Sequence, residues 1–401
     1  KTTRVAPMKT LHALNREANA EFPVNVIRTS HYTKWNFVPL FLMEQLNPRN
    51  KFANFYFFCV GILQMVKPIS ITSGLPTVYM PLVFVLTVEG INVAIEDYNR
   101  HKADSAANAT RTQIYNPASC AFEEKRWADV QVGDILKVQD KEIFPADLLF
   151  LSAADDAHPR HCFVNTKSLD GETDNKLRLA LKSTANALHD MKQFTNFVGA
   201  TVECEDPNEN TSDFQGTLRW EQAEDGREMI DASNMLLRGC ILRNTPWVYG
   251  LVISTALDTK IEFSAKGKAS KSKVASINSV INREIVVLCC VLFVMCVVGG
   301  IGYAGFNAKN WEDMTFLYWE DEGAGGFFTL TFTYFLLNYQ FIPVSLYVSM
   351  SMVYTIQRFM MHNDMEMYDE INDEPALVRT MNLNDELGQI SYIFSDKTGT
   401  L

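Results

Sequence analysis

A chain of 401 residues is long enough for two or three domains. Its hydrophobic content of 47% and charged content of 21% support a sizeable core and exclude general disorder. A net charge of −11, from 36 basic and 47 acidic side chains, argues against broad nucleic-acid binding, which needs basic surface. Mean hydropathy of −0.06 is too low for an all-membrane protein but leaves room for a soluble domain plus a few spans.

The cysteines (Cys59, Cys120, Cys162, Cys204, Cys240, Cys289, Cys290, Cys296) form no CxxC pair, and half of them lie in apolar runs. That pattern suits a reduced, cytosol-facing protein rather than a disulfide framework or a zinc site. No charged n-region or apolar h-region of a signal peptide follows Lys1. The missing initiator Met and the abrupt stop at Leu401 read as a fragment.

In chain order, residues 1–50 read as a cytosolic segment and 51–97 as a first transmembrane helix pair. Its spans are expected at 52–66, which is short and rich in aromatics, and at 75–95. Length alone leaves the first open between a span and a buried helix. Residues 98–283 read largely as β. VQVGDILKV alternates around Gly133-Asp134, and DLLFL, HCFVNTKSL, MLLRGCILR and VYGLVIS are short apolar runs between turn residues. The basic run 266–273 (KGKASKSK) is expected to be a solvated linker, with anionic-lipid contact as the other reading. A second helix pair, 284–358, holds the uncharged span 285–306 and a span at 327–354 that contains Pro343. Residues 359–401 read as a linker and the start of a further domain.

The link between the last two spans sets Lys309 against Glu312, Asp313, Glu320, Asp321 and Glu322. The opposite flanks are basic, with Arg49, Lys51, Arg100, Lys102, Arg111, Lys266, Lys268, Lys271, Lys273, Arg283 and Arg358. The positive-inside rule then places both termini and the middle segment in the cytosol. The sequons at Asn108 and Asn210 are therefore expected to carry no glycan.

The chemistry concentrates at the end of the chain, ISYIFSDKTGTL. Residues 390–394 read as a strand with Asp396 just past its carboxyl end, the edge where ligands sit in an open α/β sheet. A carboxylate there can attack the γ-phosphate of ATP and form an aspartyl phosphate. Lys397 would offset phosphate charge, Thr398, Gly399 and Thr400 would allow close approach, and Mg²⁺ would neutralise developing charge. In the fourth span Pro343 has no N–H for the Tyr339 carbonyl, so the helix should bend or unwind beside Asn338, Gln340 and Ser345. LDGET (169–173) alone reads as a strand end and an Asp-Gly turn. His158, His161 and Cys162 lack a fourth ligand and read as plain loop. Asn54 and Gln64 are polar groups in the first span, open between helix packing and a polar route. Glu89 in the second span reads as an interfacial acid, and the fourth span has no acidic residue.

DKTGTL is the phosphorylation signature of P-type ATPases, and from about residue 25 onward the chain resembles one branch, the type IV ATPases or phospholipid flippases. NVIRTSHYTKWNFVPLFLMEQL, AIEDYNRHKAD, FPADLLFLS, NTKSLDGETDNKLR, LLRGCILRNTPWVYGLVIS, PVSLYV and PALVRTMNLNDELGQISYIFSDKTGTL carry the resemblance. It implies a multi-pass α-helical membrane protein with an inserted mostly-β cytosolic actuator domain and the start of an α/β, HAD-like phosphorylation domain. Asp396 becomes the phosphorylated nucleophile, with Lys397 and Thr398 at ATP and Asp396 and Thr398 at Mg²⁺.

Asp170, Gly171, Glu172 and Thr173 match the dephosphorylation loop, with Glu172 activating the attacking water. Asp174-Asn175 departs there from the usual Asn-Leu. Pro343-Val344-Ser345-Leu346 matches the Pro-Ile-Ser-Leu element beside the lipid path, to which Gln340, Asn338 and Asn54 are added. The Tyr339-Gln340 pair departs from the Asn-rich residues common there. The resemblance further implies a small two-span glycosylated accessory subunit and a eukaryotic plasma, secretory or endosomal membrane. A cation-transporting P-type ATPase, disfavoured by the missing carboxylate, and a non-catalytic membrane module are the other readings.

Overall fold

A computed structural model describes residues 8–155, 157–268, 276–310, 323–370, 373–378, 383–395 and 397. The chain divides into two units, one made of residues 1–29, 100–272 and 392–401 and one of 30–99 and 273–391.

The described strands, in chain order, are β1 (Met8–His12), β2 (Arg111–Asn116), β3 (Ala121–Arg126), β4 (Ile135–Gln139), β5 (Asp147–Ala153), β6 (His161–Asn165), β7 (Asn175–Leu179), β8 (Thr201–Glu205), β9 (Gly216–Arg219), β10 (Arg227–Ile230), β11 (Met235–Leu236), β12 (Ile241–Arg243) and β13 (Trp247–Ser254). All belong to the first unit. They form sheets ordered β1-β8-β9-β10, β11-β5-β13-β4-β2-β3 and β12-β6-β7, and every described pairing is antiparallel. The mostly-β middle segment is thus present, and residues 8–12 add a strand to it.

Burial follows the sequence pattern. β5 is buried along its whole length, as its apolar run 148–151 predicts, and the burial extends to the polar Asp147 and Ser152. In β8 the buried positions alternate, with Val202 and Cys204 inward. Gly250 in β13 faces β5 so closely that a Cβ would lie 2.9 Å from Leu148 Cβ. Around this centre Tyr115, Phe122, Phe194 and Tyr249 pack as edge-to-face and stacked rings with centroids 5.0–6.1 Å apart.

Two expected strands are shorter than the sequence suggests. VQVGDILKV is a strand only from Ile135. Gly133 sits at φ +89°, where a Cβ would meet Asn19 Nδ2 at 2.3 Å and the His12 carbonyl at 2.5 Å. The buried Asp134 beside it accepts two hydrogen bonds from Arg16, at 2.9 and 2.8 Å. HCFVNTKSL stops pairing at Asn165, whose Oδ1 accepts from Lys167 N at 3.0 Å and starts a short helix, Lys167–Asp170.

The second unit is helical. The helix Phe52–Gln64 has 13 residues, about 20 Å at 1.5 Å per residue, short of a hydrocarbon core about 30 Å thick. Tyr79–Ala109 and Ser276–Asn310 contain the stretches long and apolar enough to cross a membrane among the described residues. The fourth expected span is split into helix Gly323–Asn338, a 3₁₀ turn Tyr339–Phe341 and helix Val344–His362. The apolar core of this unit joins Ala53, Phe57 and Val60 to Leu292, Cys296, Leu336 and Ile342. Glycines allow close approach: a Cβ on Gly300 would lie 2.4 Å from Thr331 Oγ1.

One expectation is overturned. Residues 390–394 form no strand in this structure; Tyr392, Ile393 and Phe394 are 81%, 84% and 96% exposed. A strand is held by its neighbours' hydrogen bonds, and the described residues offer this run none.

Candidate functional site

The loop carrying Glu172 is built by its own side chains. Thr166 and Lys167 start the one-turn helix that ends at Asp170, and Gly171 closes it at φ +74°, the left-handed cap that suits glycine. Asp170 Oδ2 accepts from Thr166 Oγ1 at 2.8 Å and from Lys176 Nζ at 2.5 Å, while Oδ1 accepts from Glu172 N at 3.0 Å. Asn165 Nδ2 donates to the Thr173 carbonyl at 3.3 Å. Asp170, Gly171, Glu172 and Thr173 therefore lie together in one preorganised turn.

Lys176 Nζ also lies 3.0 Å from Glu172 Oε2, so one ammonium ties both acids of the loop. Burial pushes Asp170 up, but hydrogen bonds from Lys176, from the Glu172 N–H and from Thr166 outweigh it and hold the carboxyl below its usual range. The bond to Asp170, then that to Glu172, raises the Lys176 ammonium. Glu172 remains 57% exposed, open to water. Asp174 and Asn175, the departures from the family pattern, are exposed and leave these bonds intact.

The loop is fastened to the core behind it. Ser168 Oγ donates to the Gly239 carbonyl at 2.8 Å. Next to Gly239, Arg238 N donates at 2.9 Å to Asp147 Oδ1, and Lys260 N donates at 2.8 Å to Asp147 Oδ2. Burial raises Asp147, and these backbone bonds act against that rise. Asn25, fully buried, fills all its hydrogen-bonding positions. Its Nδ2 donates to Trp127 O at 3.0 Å and Pro145 O at 3.1 Å, and its Oδ1 accepts from Ala256 N at 2.9 Å and Arg238 Nη1 at 3.1 Å.

In the helical unit Pro343 stands at the break between two helices, extended at φ −76°, ψ 105°. Asn338 and Gln340 are exposed beside it. Asn338 Nδ2 donates back to Tyr334 O at 2.9 Å, and Gln340 Nε2 to Tyr339 Oη at 3.4 Å. Val344 and Ser345 open the following helix; their side chains lie outside the described residues. Asn54 is buried and donates to Gln45 Oε1 at 3.2 Å, a helix-packing bond. Glu89 accepts from Lys51 at 2.5 Å. Asp396, Thr398, Gly399 and Thr400 lie outside the described residues, and Lys397 is exposed. His158 and His161 meet edge to face with centroids 5.6 Å apart, while Cys162 points into the core.

Sequence reasoning missed Lys176, Ser168 and Tyr56. Lys176 had a usable signal, a cation four residues past Glu172. Ser168 and Tyr56 had none, because their partners are 71 and 283 residues away.

Residues 11–78 match the family model described as "Phospholipid-translocating ATPase N-terminal". The chain is similar to phospholipid-transporting ATPase DRS2 of Saccharomyces cerevisiae, with 36% identity over 396 residues, 98% of this chain and 28% of that protein. It is similar to the probable phospholipid-transporting ATPase IM of Homo sapiens, 36% identical over 395 residues, 97% of this chain and 32% of the other. Phospholipid-transporting ATPase ID of Mus musculus is 37% identical over 395 residues, 97% of this chain and 31% of its own length. The chain thus spans 28% to 32% of the length of these relatives.

Proposed function

Starting from a chain that belongs to the type IV P-type ATPases and matches their N-terminal region, we propose that the full-length protein moves phospholipid from the outer to the cytosolic leaflet at the expense of ATP. A carboxylate oxygen of Asp396 attacks the γ-phosphorus, the bond to ADP breaks, and an aspartyl phosphate forms. Lys397 offsets charge on the phosphates. The oxygen donors at Asp396 and Thr398 fit Mg²⁺, which when bound neutralises phosphate charge. Glu172 then takes a proton from water as the water oxygen attacks phosphorus, and the bond to Asp396 breaks to release phosphate.

The observation that carries this reading is the loop geometry. Glu172 is half in water, at the tip of a turn fixed by Asp170 and Gly171, and is tethered by Lys176. Lys176 holds the side chain in place without closing it off. The unwound, polar break at Asn338, Gln340 and Pro343 supports a headgroup path, since freed backbone in a membrane must line protein or water. In this reading the β unit is the actuator domain, both ends of the chain face the cytosol and a two-span accessory subunit accompanies the protein.

The test is phosphoenzyme chemistry on the full-length protein. Asp396→Asn should abolish acid-stable, hydroxylamine-labile label from γ-labelled ATP. Glu172→Gln should keep the label and slow its loss. Normal dephosphorylation in Glu172→Gln would refute the role of that residue, and label in Asp396→Asn would refute the nucleophile.

A further inference from the structure

Proline at 343 leaves the carbonyl of Tyr339, four residues back, without its helical donor. The structure shows what takes it. Tyr56 Oη, from helix Phe52–Gln64, donates to the Tyr339 carbonyl at 3.2 Å, alongside a longer contact of 3.4 Å from Ile342 N. The Tyr56 side chain is fixed for this task. It is 7% exposed, its ring meets Phe335 edge to face at 6.0 Å and Phe57 at 5.2 Å, and it belongs to the apolar core that includes Leu336 and Ile342. The neighbouring Asn338 amide is turned back on its own helix, to Tyr334 O. Among the described residues, Tyr56 is the polar side chain placed on the carbonyl that Pro343 releases.

We propose that Tyr56 is a headgroup-selectivity residue, its hydroxyl occupying the Tyr339 carbonyl that a cargo headgroup bearing N–H donors would otherwise use. This inference rests on the reading of Pro343 as part of the lipid path. The chemistry distinguishes two headgroup classes. A primary ammonium can donate to a bare carbonyl, whereas a quaternary ammonium has no N–H and gains no such bond. With Tyr56 in place the carbonyl is already satisfied, and the advantage of the primary ammonium is reduced. Tyr56 acts by competition for an acceptor and takes no part in the phosphoryl chemistry.

The experiment compares lipid-stimulated ATP hydrolysis by the full-length protein in detergent. The lipids are phosphatidylethanolamine and phosphatidylcholine of identical acyl chains, which differ in their N–H donors. Tyr56→Phe removes one oxygen from a ring held by packing, and phosphoenzyme formation from ATP checks that the variant is folded. We expect the stimulation ratio of ethanolamine to choline lipid to rise about two- to tenfold, the reach of one net hydrogen bond. Replacing Tyr56 by 3,5-difluorotyrosine, a stronger donor of the same shape, should move the ratio the other way. An unchanged ratio in a phosphorylating Tyr56→Phe, or a difluorotyrosine shift in the same direction as phenylalanine, overturns the assignment to Tyr56. If no phospholipid stimulates the unaltered protein, the lipid-path reading itself fails, and the selectivity role falls with it.

Discussion

Asn25→Ala should loosen the β unit far more than its single lost amide suggests. The side chain is fully buried and makes four hydrogen bonds, to the carbonyls of Trp127 and Pro145 and from Ala256 N and Arg238 Nη1. Each is worth about 1 kcal/mol net, and buried groups left unpaired cost about 1–3 kcal/mol each. Some relaxation and water entry will recover part of that, so about 3–5 kcal/mol is the expected loss. Arg238 makes the site unforgiving. Its Nη2 is already without a partner among the described residues, burial pushes its guanidinium down, and the substitution removes the acceptor at Nη1. The readout is hydrogen exchange of the slowest amides in β5 and β13. A loss of that size should speed their exchange by about 10² to 5 × 10³-fold if they open with the whole unit. Asn25→Asp keeps an acceptor for Ala256 and Arg238 but loses both donors, and should fall between. Exchange accelerated less than about threefold in Asn25→Ala would show that the four bonds are not what holds the N-terminal segment to β5 and β13.

Other outcomes follow from the same structure. Asp170 should titrate below an ordinary aspartate by NMR, and Lys176→Met should move its midpoint upward, since Lys176 is the leading group that lowers it. Because its folded pKa is depressed, its stabilising contribution is present above the unfolded value near ~3.9 and disappears as pH falls through the folded one; a midpoint unmoved by Lys176→Met contradicts the pairing. Burial pushes the thiols of Cys204 up to about 11 and Cys240 up to about 12, and Cys162 further still. Iodoacetamide at pH 8 should therefore modify the exposed Cys120 before any of these in the folded protein and all of them in urea. Neither Asn108 nor Asn210 should bear a glycan: Asn108 exchanges two hydrogen bonds with Ile27, at 2.9 and 2.8 Å, and an endoglycosidase-sensitive mass shift at either sequon would overturn the cytosolic placement.

Much of the architecture was legible in the residues. Short apolar runs between turn residues marked the antiparallel segment, and the apolar runs 75–95 and 285–306 marked the spans within Tyr79–Ala109 and Ser276–Asn310. The break in the fourth span followed from one proline. Register and extent were less visible. Alternation carried VQVGDILKV across Gly133, yet a positive φ and the Arg16–Asp134 pair end the strand there. The apolar run 390–394 reads as a strand by composition, but pairing depends on neighbours that composition does not supply. No strand was foreseen in residues 1–50, because β1 is a polar five-residue stretch whose pairing with β8 is set nearly two hundred residues on.

The candidate site divides by the same rule. Local spacing shows only which residues lie close together: Asp170 and Glu172 sit two apart, and Pro343 and the Tyr339 carbonyl four apart, while the roles given to them came from the resemblance. What completes each site comes from far along the sequence. Ser168 reaches Gly239 across 71 residues, Asn25 reaches Arg238 across 213, and Tyr56 reaches Tyr339 across 283. Closing such separations costs loop entropy, so these bonds form only once the hydrophobic core has brought their partners together. A side chain placed this way looks ordinary in sequence, a tyrosine among phenylalanines or an asparagine before a valine. Its role emerges only when an orphaned carbonyl or a buried guanidinium is found opposite it. Under the proposed function, local motifs mark where the chemistry would happen, while long-range polar contacts such as those of Asn25 and Ser168 hold the motifs in place. Substitutions at Tyr56 and Asn25 should accordingly change selectivity and rigidity while leaving the motifs at Glu172 and Asp396 chemically intact.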